Sequence, residues 1–191
     1  MISNDVVNRL INEATKIGIE VYVAQDSYHL KASLLELLFK RYAPYSSLCL
    51  PLDVFSSTGE LINTLKNRNW KVLLADNSIS YEEFLVKLRY VHIGITPVDL
   101  CIAETSTLVI RNNRPFLREI SLFPPVHIAV TRTDQIILKL EEAGKIIDKW
   151  LMESVGVTFI TGPSKTADIE LNLVRGVHGP KELILFILSQ Y

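Results

Sequence analysis

The feature that most limits how this chain can fold is an alternation of two hydrophobic periods. Through residues 1–90, segments with a helical apolar stripe are separated by short, wholly apolar runs. Val6, Val7, Leu10, Ile11, Ala14 and Ile17 share one helical face, with Ser3 or Asn4 placed to cap it and Gly18 to end it. Residues 19–23 predict a strand. Leu30, Leu34, Leu35, Leu37, Leu38 and Phe39 predict a second helix, stopped before Pro44, and residues 47–50 a second strand closed by Pro51. A third helix is expected over residues 58–65, opened by Ser57 and Glu60 at capping-box spacing, and a strand over 70–74. Ser80 and Glu83 repeat that spacing ahead of a fourth helix over 80–88.

Strands joined through helices require right-handed crossovers and hence a mostly parallel sheet. Their uninterrupted apolar character implies cover on both faces. The second half changes rhythm. Residues 90–95, 100–103 and 107–110 are strand-like with little room for helices between them, and 111–123 reads as irregular and charged. A strand is expected at 126–130, a helix at 135–151 with Gly144 as a break point, and strands at 157–160 and 183–188. Residues 162–166 read as a loop, and 169–174 as either helix or strand. The expected class is α/β, a mostly parallel sheet flanked by helices. No linker or repeat divides the chain, so one domain over 1–191 is expected, with the N-terminal helix, about 1–17, left open as peripheral.

A chain of 191 residues, 48% of them hydrophobic, can bury a core without covalent staples. A formal net charge of -1 with scattered Lys and Arg gives no electrostatic case for nucleic acid or acidic lipid. The two cysteines, Cys49 and Cys101, lie far apart, which excludes an all-cysteine iron–sulfur or zinc site within the chain. The acid-bearing N-terminus does not read as a signal peptide and no run reaches bilayer length, so the cytoplasm is the expected location and no membrane span is expected.

Three segments carry more polar chemistry than packing requires. In the first, Glu104, Thr105 and Ser106 follow an apolar run, where a turn and a ligand site at a strand's carboxyl end are equally good readings. In the second, Pro124 and Pro125 lead into a strand whose second residue is His127. That residue reads first as a hydrogen-bonded core histidine and second as a ligand contact. In the third, Gly162, Ser164, Lys165 and Thr166 leave a strand as a loop suited to an anion, with Arg175, Gly176 and His178 on a glycine-flexed turn nearby and Asp168 between them. No P-loop, nucleophile elbow or dinucleotide fingerprint is present, and no histidine pair stands at metal-ligand spacing. No metal is expected.

These three segments also carry a resemblance. Gly94-Ile-Thr-Pro-Val-Asp-Leu-Cys-Ile-Ala-Glu-Thr-Ser-Thr-Leu-Val-Ile110 is similar to the G-x-T-x-A-D-x-A-I-A-E-T-G-T-L-V signature of the lactate-utilisation protein C family, also called the LUD domain. Leu122-Phe-Pro-Pro-Val-His-Ile-Ala-Val130 resembles its L-L-P-P-V-H-I block, and residues 161–170 with 174–182 resemble its C-terminal block. Ser106 replaces the usual glycine, and Pro97-Val98 the usual Gly-Ala. The resemblance implies a fold like the sugar isomerases and CoA transferases. It also implies a non-redox part in oxidising L-lactate to pyruvate, beside partner subunits that carry the iron–sulfur clusters, with no cofactor in this chain. The alternative is a stand-alone enzyme or sensor of a small anionic metabolite: a hydroxy acid, phosphosugar or CoA ester. On either reading Glu104 and His178 are the candidate acid–base groups. Glu104, Ser164 and His178 are expected to meet in one pocket at the carboxyl edge of the sheet, with Lys165 and Arg175 holding an anion.

Overall fold

The structure, a computed structural model, describes residues 4–153, 156–167, 173–175 and 179–189. The chain starts with α1 (Asn4–Ile17), β1 (Glu20–Ala24), α2 (Ser27–Arg41) and β2 (Ser47–Leu50). It continues through α3 (Thr58–Asn67), β3 (Lys71–Leu74), α4 (Tyr81–Leu88) and β4 (Ile93–Pro97). Then come β5 (Leu100–Ile102), β6 (Thr107–Arg111), α5 (Leu117–Leu122) and β7 (Val126–Arg132). A 3-10 turn (Thr133–Gln135) leads to β8 (Ile136–Ile137), α6 (Leu140–Met152), β9 (Val157–Ile160), β10 (Lys165–Ala167), β11 (Leu173–Arg175) and β12 (Glu182–Leu188).

Six strands form one sheet in the order β1-β12-β7-β4-β2-β3, every neighbouring pair parallel. The expected class is therefore observed. Its inner strands are buried on both faces, as β4 and β12 show, which accounts for their unbroken apolar runs, while the edge strands β1 and β3 are partly exposed. One face packs α2 and α3 through Leu30, Leu34, Leu61 and Leu65 onto Leu48, Leu50, Ile95, Val130 and Phe186. The other face carries Leu10 and Ala14 of α1 against Ala129, Leu185 and Ile187, and Phe84 and Leu88 of α4 against Cys49.

A second, four-stranded sheet, β8-β5-β6-β9, takes β5 and β6 from the connection between β4 and β7, which also holds α5, and β8 and β9 from the connection between β7 and β12. This is the change of rhythm seen in the second half of the sequence. β5 therefore belongs to a mixed sheet, antiparallel to β6 and parallel to β8, not to the parallel one. A two-stranded hairpin, β10-β11, completes the strands described.

Local expectations hold where the cap chemistry is simple. Ser80 accepts from the Glu83 N–H to open α4, as its spacing predicts; Asp26, not singled out in the sequence, accepts from the His29 N–H to open α2. Ser57 makes no side-chain cap bond. Thr58 Oγ1 takes the local backbone instead, donating to Phe55 O and accepting from Phe55 N–H, while Glu60 pairs with Lys31. The helix expected at 135–151 begins later, because Ile136 and Ile137 extend beside Cys101 and Ile102. The helix start is fixed where the Glu142 carboxylate accepts from the Lys139 N–H. Gly144 does not break α6; it lies on the exposed face. Within the stretch read as irregular, α5 forms because Leu117 and Ile120 bury against the sheet. The strand expected at 90–95 begins at Ile93, after a turn that exposes Tyr90. The 162–166 loop ends early, since Lys165 and Thr166 already pair in β10. Of the ambiguous 169–174 segment, Leu173 and Val174 are strand and 169–172 lie outside the described residues.

Candidate functional site

In an open parallel sheet, ligands settle beyond the carboxyl ends of strands, where successive connections leave to opposite faces. Here that point lies between β2 and β4. The chain leaves β2 for α3 on one face and leaves β4 for the small sheet on the other. A cleft of about 570 Å³ opens there. Its walls are residues 52–56 after β2, 97–99 after β4, Ser27 at the start of α2, the end of β7 with Gln135, Leu188 of β12, and Arg114.

Arg114 spans the cleft. Its Nη1 donates to Asp53 Oδ2 at 2.9 Å and its Nη2 to Asp99 Oδ1 at 3.4 Å. Asp99 is the better anchored acid, since its Oδ2 also accepts from the Arg111 N–H at 2.9 Å. Burial raises the Asp99 carboxyl above its ordinary range, against the Arg111 N–H bond and the charges of Arg114 and Arg111. Ser56 donates to Ser27 at 2.6 Å, tying the loop after β2 to the start of α2. Arg132 pairs with Asp134 on the rim. Thr131 and Gln135 add polar groups, and the rest of the walls are largely apolar, formed by Val54, Phe55, Pro97, Val98, Val130 and Leu188.

The sequence-predicted residues that the structure describes lie elsewhere. Glu104 follows β5 of the mixed sheet, and its carboxylate accepts from the Leu140 N–H at 2.7 Å, at the positive start of α6. It lines neither large cleft. Ser164 lies at the amino edge, where its N–H donates to Pro180 O just ahead of β12. The expected meeting of Glu104 and Ser164 at the carboxyl edge is therefore not what the fold makes, because β5 is not a strand of the parallel sheet. Gly162 and Ser164 instead line a second cleft, also about 570 Å³, with Ile17, Ser121, Phe159 and Pro180. A hydroxyl chain connects the first motif to that loop: Thr105 to Thr107 at 2.8 Å and Thr107 to Thr161 at 2.8 Å. Lys165 and Arg175 are Cα partners across the β10-β11 hairpin, and Thr166 partners Val174. Asp168, Gly176 and His178 lie outside the described residues.

His127 is a core residue with no exposure. Its Nε2 shares a 2.8 Å hydrogen bond with Thr96 Oγ1, and burial pulls its imidazole down to about 3. Ser106 is also buried, its Oγ has no hydrogen-bond partner among the described residues, and its backbone is left-handed, with φ 52°. The glycine usual at this position in the motif is the residue such a turn favours. Ser106→Gly is expected to raise stability by about 1 kcal/mol, since it removes both the strain and the unpaired hydroxyl. Thermal melting should show a rise of roughly 2–4 °C; a fall would mean that Ser106 has a partner the turn geometry does not reveal.

Both cysteines are buried and free, and burial raises both thiols, Cys101 to about 12. Among the described residues no three His, Cys, Asp or Glu side chains gather to hold a metal ion. No helix among them is long and apolar enough to cross a membrane.

With this geometry in hand, the comparisons place the chain. The family model for the LUD domain matches residues 7–188. The chain belongs to the LUD domain family. Relatives named lactate utilization protein C include one from Anoxybacillus flavithermus, 40% identical over 98 residues, covering 51% of this chain and 44% of that protein. The Bacillus subtilis protein of that name is 35% identical over 112 residues, 56% of this chain and 47% of its own. The one from Geobacillus sp. is 31% identical over 146 residues, 72% and 58% respectively. This LUD-domain chain thus spans about half the length of the curated relatives it matches. A crystal structure of a DUF162 family protein from Deinococcus radiodurans shares the fold, with a TM-score of 0.71 at 19% identity over 97% of both chains.

Sequence reasoning missed Asp53, Arg114 and Gln135, and used Asp99 only as part of a motif. The signal that locates them is the switch point, which needs the spatial order of the strands.

Proposed function

We propose that this chain is the non-redox component of an L-lactate utilisation system in the cytoplasm, acting with partner subunits that carry the iron–sulfur clusters. Its carboxyl-edge cleft holds a small anionic metabolite. The observation that carries the reading is that Asp99, the acid of the segment resembling the family signature, lines the switch-point cleft and pairs there with Arg114. Arginine offers a planar fork of donors suited to a carboxylate. Asp99, fixed by the Arg111 N–H, is placed to accept from a hydroxyl beside that carboxylate. The two isolated cysteines support placing the clusters in other subunits.

The test is growth on L-lactate as sole carbon source after deletion of the gene. Growth is expected to fail and to return with the wild-type gene but not with Arg114→Ala. Normal growth of the deletion strain would end this reading. A second reading, a stand-alone enzyme or sensor of a small anionic metabolite, is favoured by a cleft in which this chain itself supplies a guanidinium, Arg114, beside apolar walls. It predicts that the isolated chain binds L-lactate or pyruvate in calorimetry without partners. Lys165 and Arg175 remain the proposed anion contacts at the opposite edge, tested by Arg175→Ala in the same titration.

A further inference from the structure

The two acids on Arg114 are not equivalent. Asp99 is 17% exposed and anchored twice, by Arg114 and by the Arg111 N–H. Asp53 is 61% exposed, stands on the loop after β2, and has Arg114 as its one hydrogen-bond partner among the described residues. It contacts the guanidinium through a single 2.9 Å bond, so it leaves most of the donor fork unused. A carboxylate already sits where an incoming anion would bind, and it is the weakly held one.

From this we propose that the ligand of the cleft is a carboxylic acid with an apolar body larger than the methyl group of lactate, and that its carboxylate displaces Asp53 from Arg114. Asp53 is then an internal competitor that keeps the empty site closed, and the loop carrying it swings away when ligand binds. This rests on the reading of the cleft as the ligand site.

Charge selects the class. A dianionic phosphate seated on Arg114 would face the Asp99 carboxylate with two charges, whereas a carboxylate presents one. Size selects the body. At about 570 Å³ the cleft is in the range of sites that enclose drug-sized ligands. A three-carbon acid on Arg114 would leave Val54, Phe55, Val130 and Leu188 uncovered.

The experiment is calorimetric titration of the whole chain at pH 7 and low ionic strength with L-lactate, L-phenyllactate and inorganic phosphate. Phenyllactate is expected to bind at least tenfold more tightly than lactate, as burial of a phenyl group requires. Asp53→Asn should tighten phenyllactate by roughly threefold, the scale of a half-exposed ion pair removed from competition. Asp53→Ser, which also lacks the carboxylate, should do the same, and Arg114→Gln should weaken binding at least tenfold. Thermal melts of each variant establish that it is folded. Absence of binding by either acid, phosphate binding more tightly than phenyllactate, or an Asp53→Asn protein that binds phenyllactate no better than wild type would each overturn the proposal. The outcome is separable from the growth test. A deletion strain that grows on lactate removes the pathway while tightening by Asp53→Asn still stands, and the converse result removes only the competitor.

Discussion

Replacing Gly94 with alanine is expected to destabilise the protein by about 3 kcal/mol, the upper part of the range for overpacking a filled core. Gly94 sits in β4 between Cys49 and His127 on the flanking strands. A Cβ built there would lie 2.2 Å from Ile120 O, 2.9 Å from Ile120 Cγ2 and 3.1 Å from Pro124 Cγ. The first of these contacts is backbone, so no rotamer change relieves it, and α5 as a whole must move off the sheet. A thermal midpoint lowered by roughly 6–12 °C is the expected readout. Gly144→Ala serves as the opposite control. It stands on α6 with nothing within 4 Å of the added methyl, and helix propensity favours the change by up to about 1 kcal/mol. Equal melting of wild type and Gly94→Ala would show that α5 does not rest on β4 as closely as described.

The second large effect is acid lability through His127. Burial holds its imidazole near 3, down from an ordinary 6.5. The folded protein therefore refuses a proton that the unfolded chain accepts below about 6.5. Stability from this group is complete above that pH and is lost as pH falls from there towards the folded value, at about 1.4 kcal/mol per pH unit. His92, half-buried and also shifted down by burial, adds to the slope in the same direction. Several surface carboxylates, such as Glu13, Asp26 and Asp76, have their pKa values lowered by hydrogen bonds, so their losses belong to lower pH. Urea denaturation between pH 7 and 5 thus reads mainly the histidines, with the raised Asp99 carboxyl acting in the opposite direction. His127→Gln, which keeps a hydrogen-bonding group for Thr96, should flatten most of the slope. An unchanged slope would mean that His127 is protonated in the folded state.

One half of the chain records its structure locally and the other does not. Each helix and strand from α1 to α4 is a local segment with its own apolar period, and several carry a stop signal, such as Gly18, Pro44 or Pro51. The region from 100 to 137 is not like this. β5 is three residues long and β8 two; β5 is a strand because it pairs with β6 on one side, and β8 because it pairs with β5 on the other. Ile136 and Ile137 were read into a helix because their period continues into α6; only the open edge of β5 draws them out. α5, at six residues, has too little sequence to show a period and is held by the burial of Leu117 and Ile120.

The same division runs through the candidate site. The motif residues were found because they are local words: Glu104-Thr105-Ser106, Gly162 to Thr166, and the turn around His178. Their roles were assigned by assuming that an apolar run before Glu104 was a strand of the parallel sheet. Ser106 shows the limit of such reading. The departure from glycine was visible in the sequence, but its left-handed backbone and unpaired hydroxyl were not.

What the sequence determined by itself was the kind of fold and the family, because both are written in short-range patterns: the alternation of periods and the order of three motif blocks. What only the tertiary structure decided was where the chemistry meets. Asp53, Asp99 and Arg114 come from three separate loops. They meet because β2 and β4 lie side by side although β3 comes between them in the chain, and because the connections from β2 and β4 leave for opposite faces. Strand order and crossover direction arise from packing between distant segments, and no local period records them.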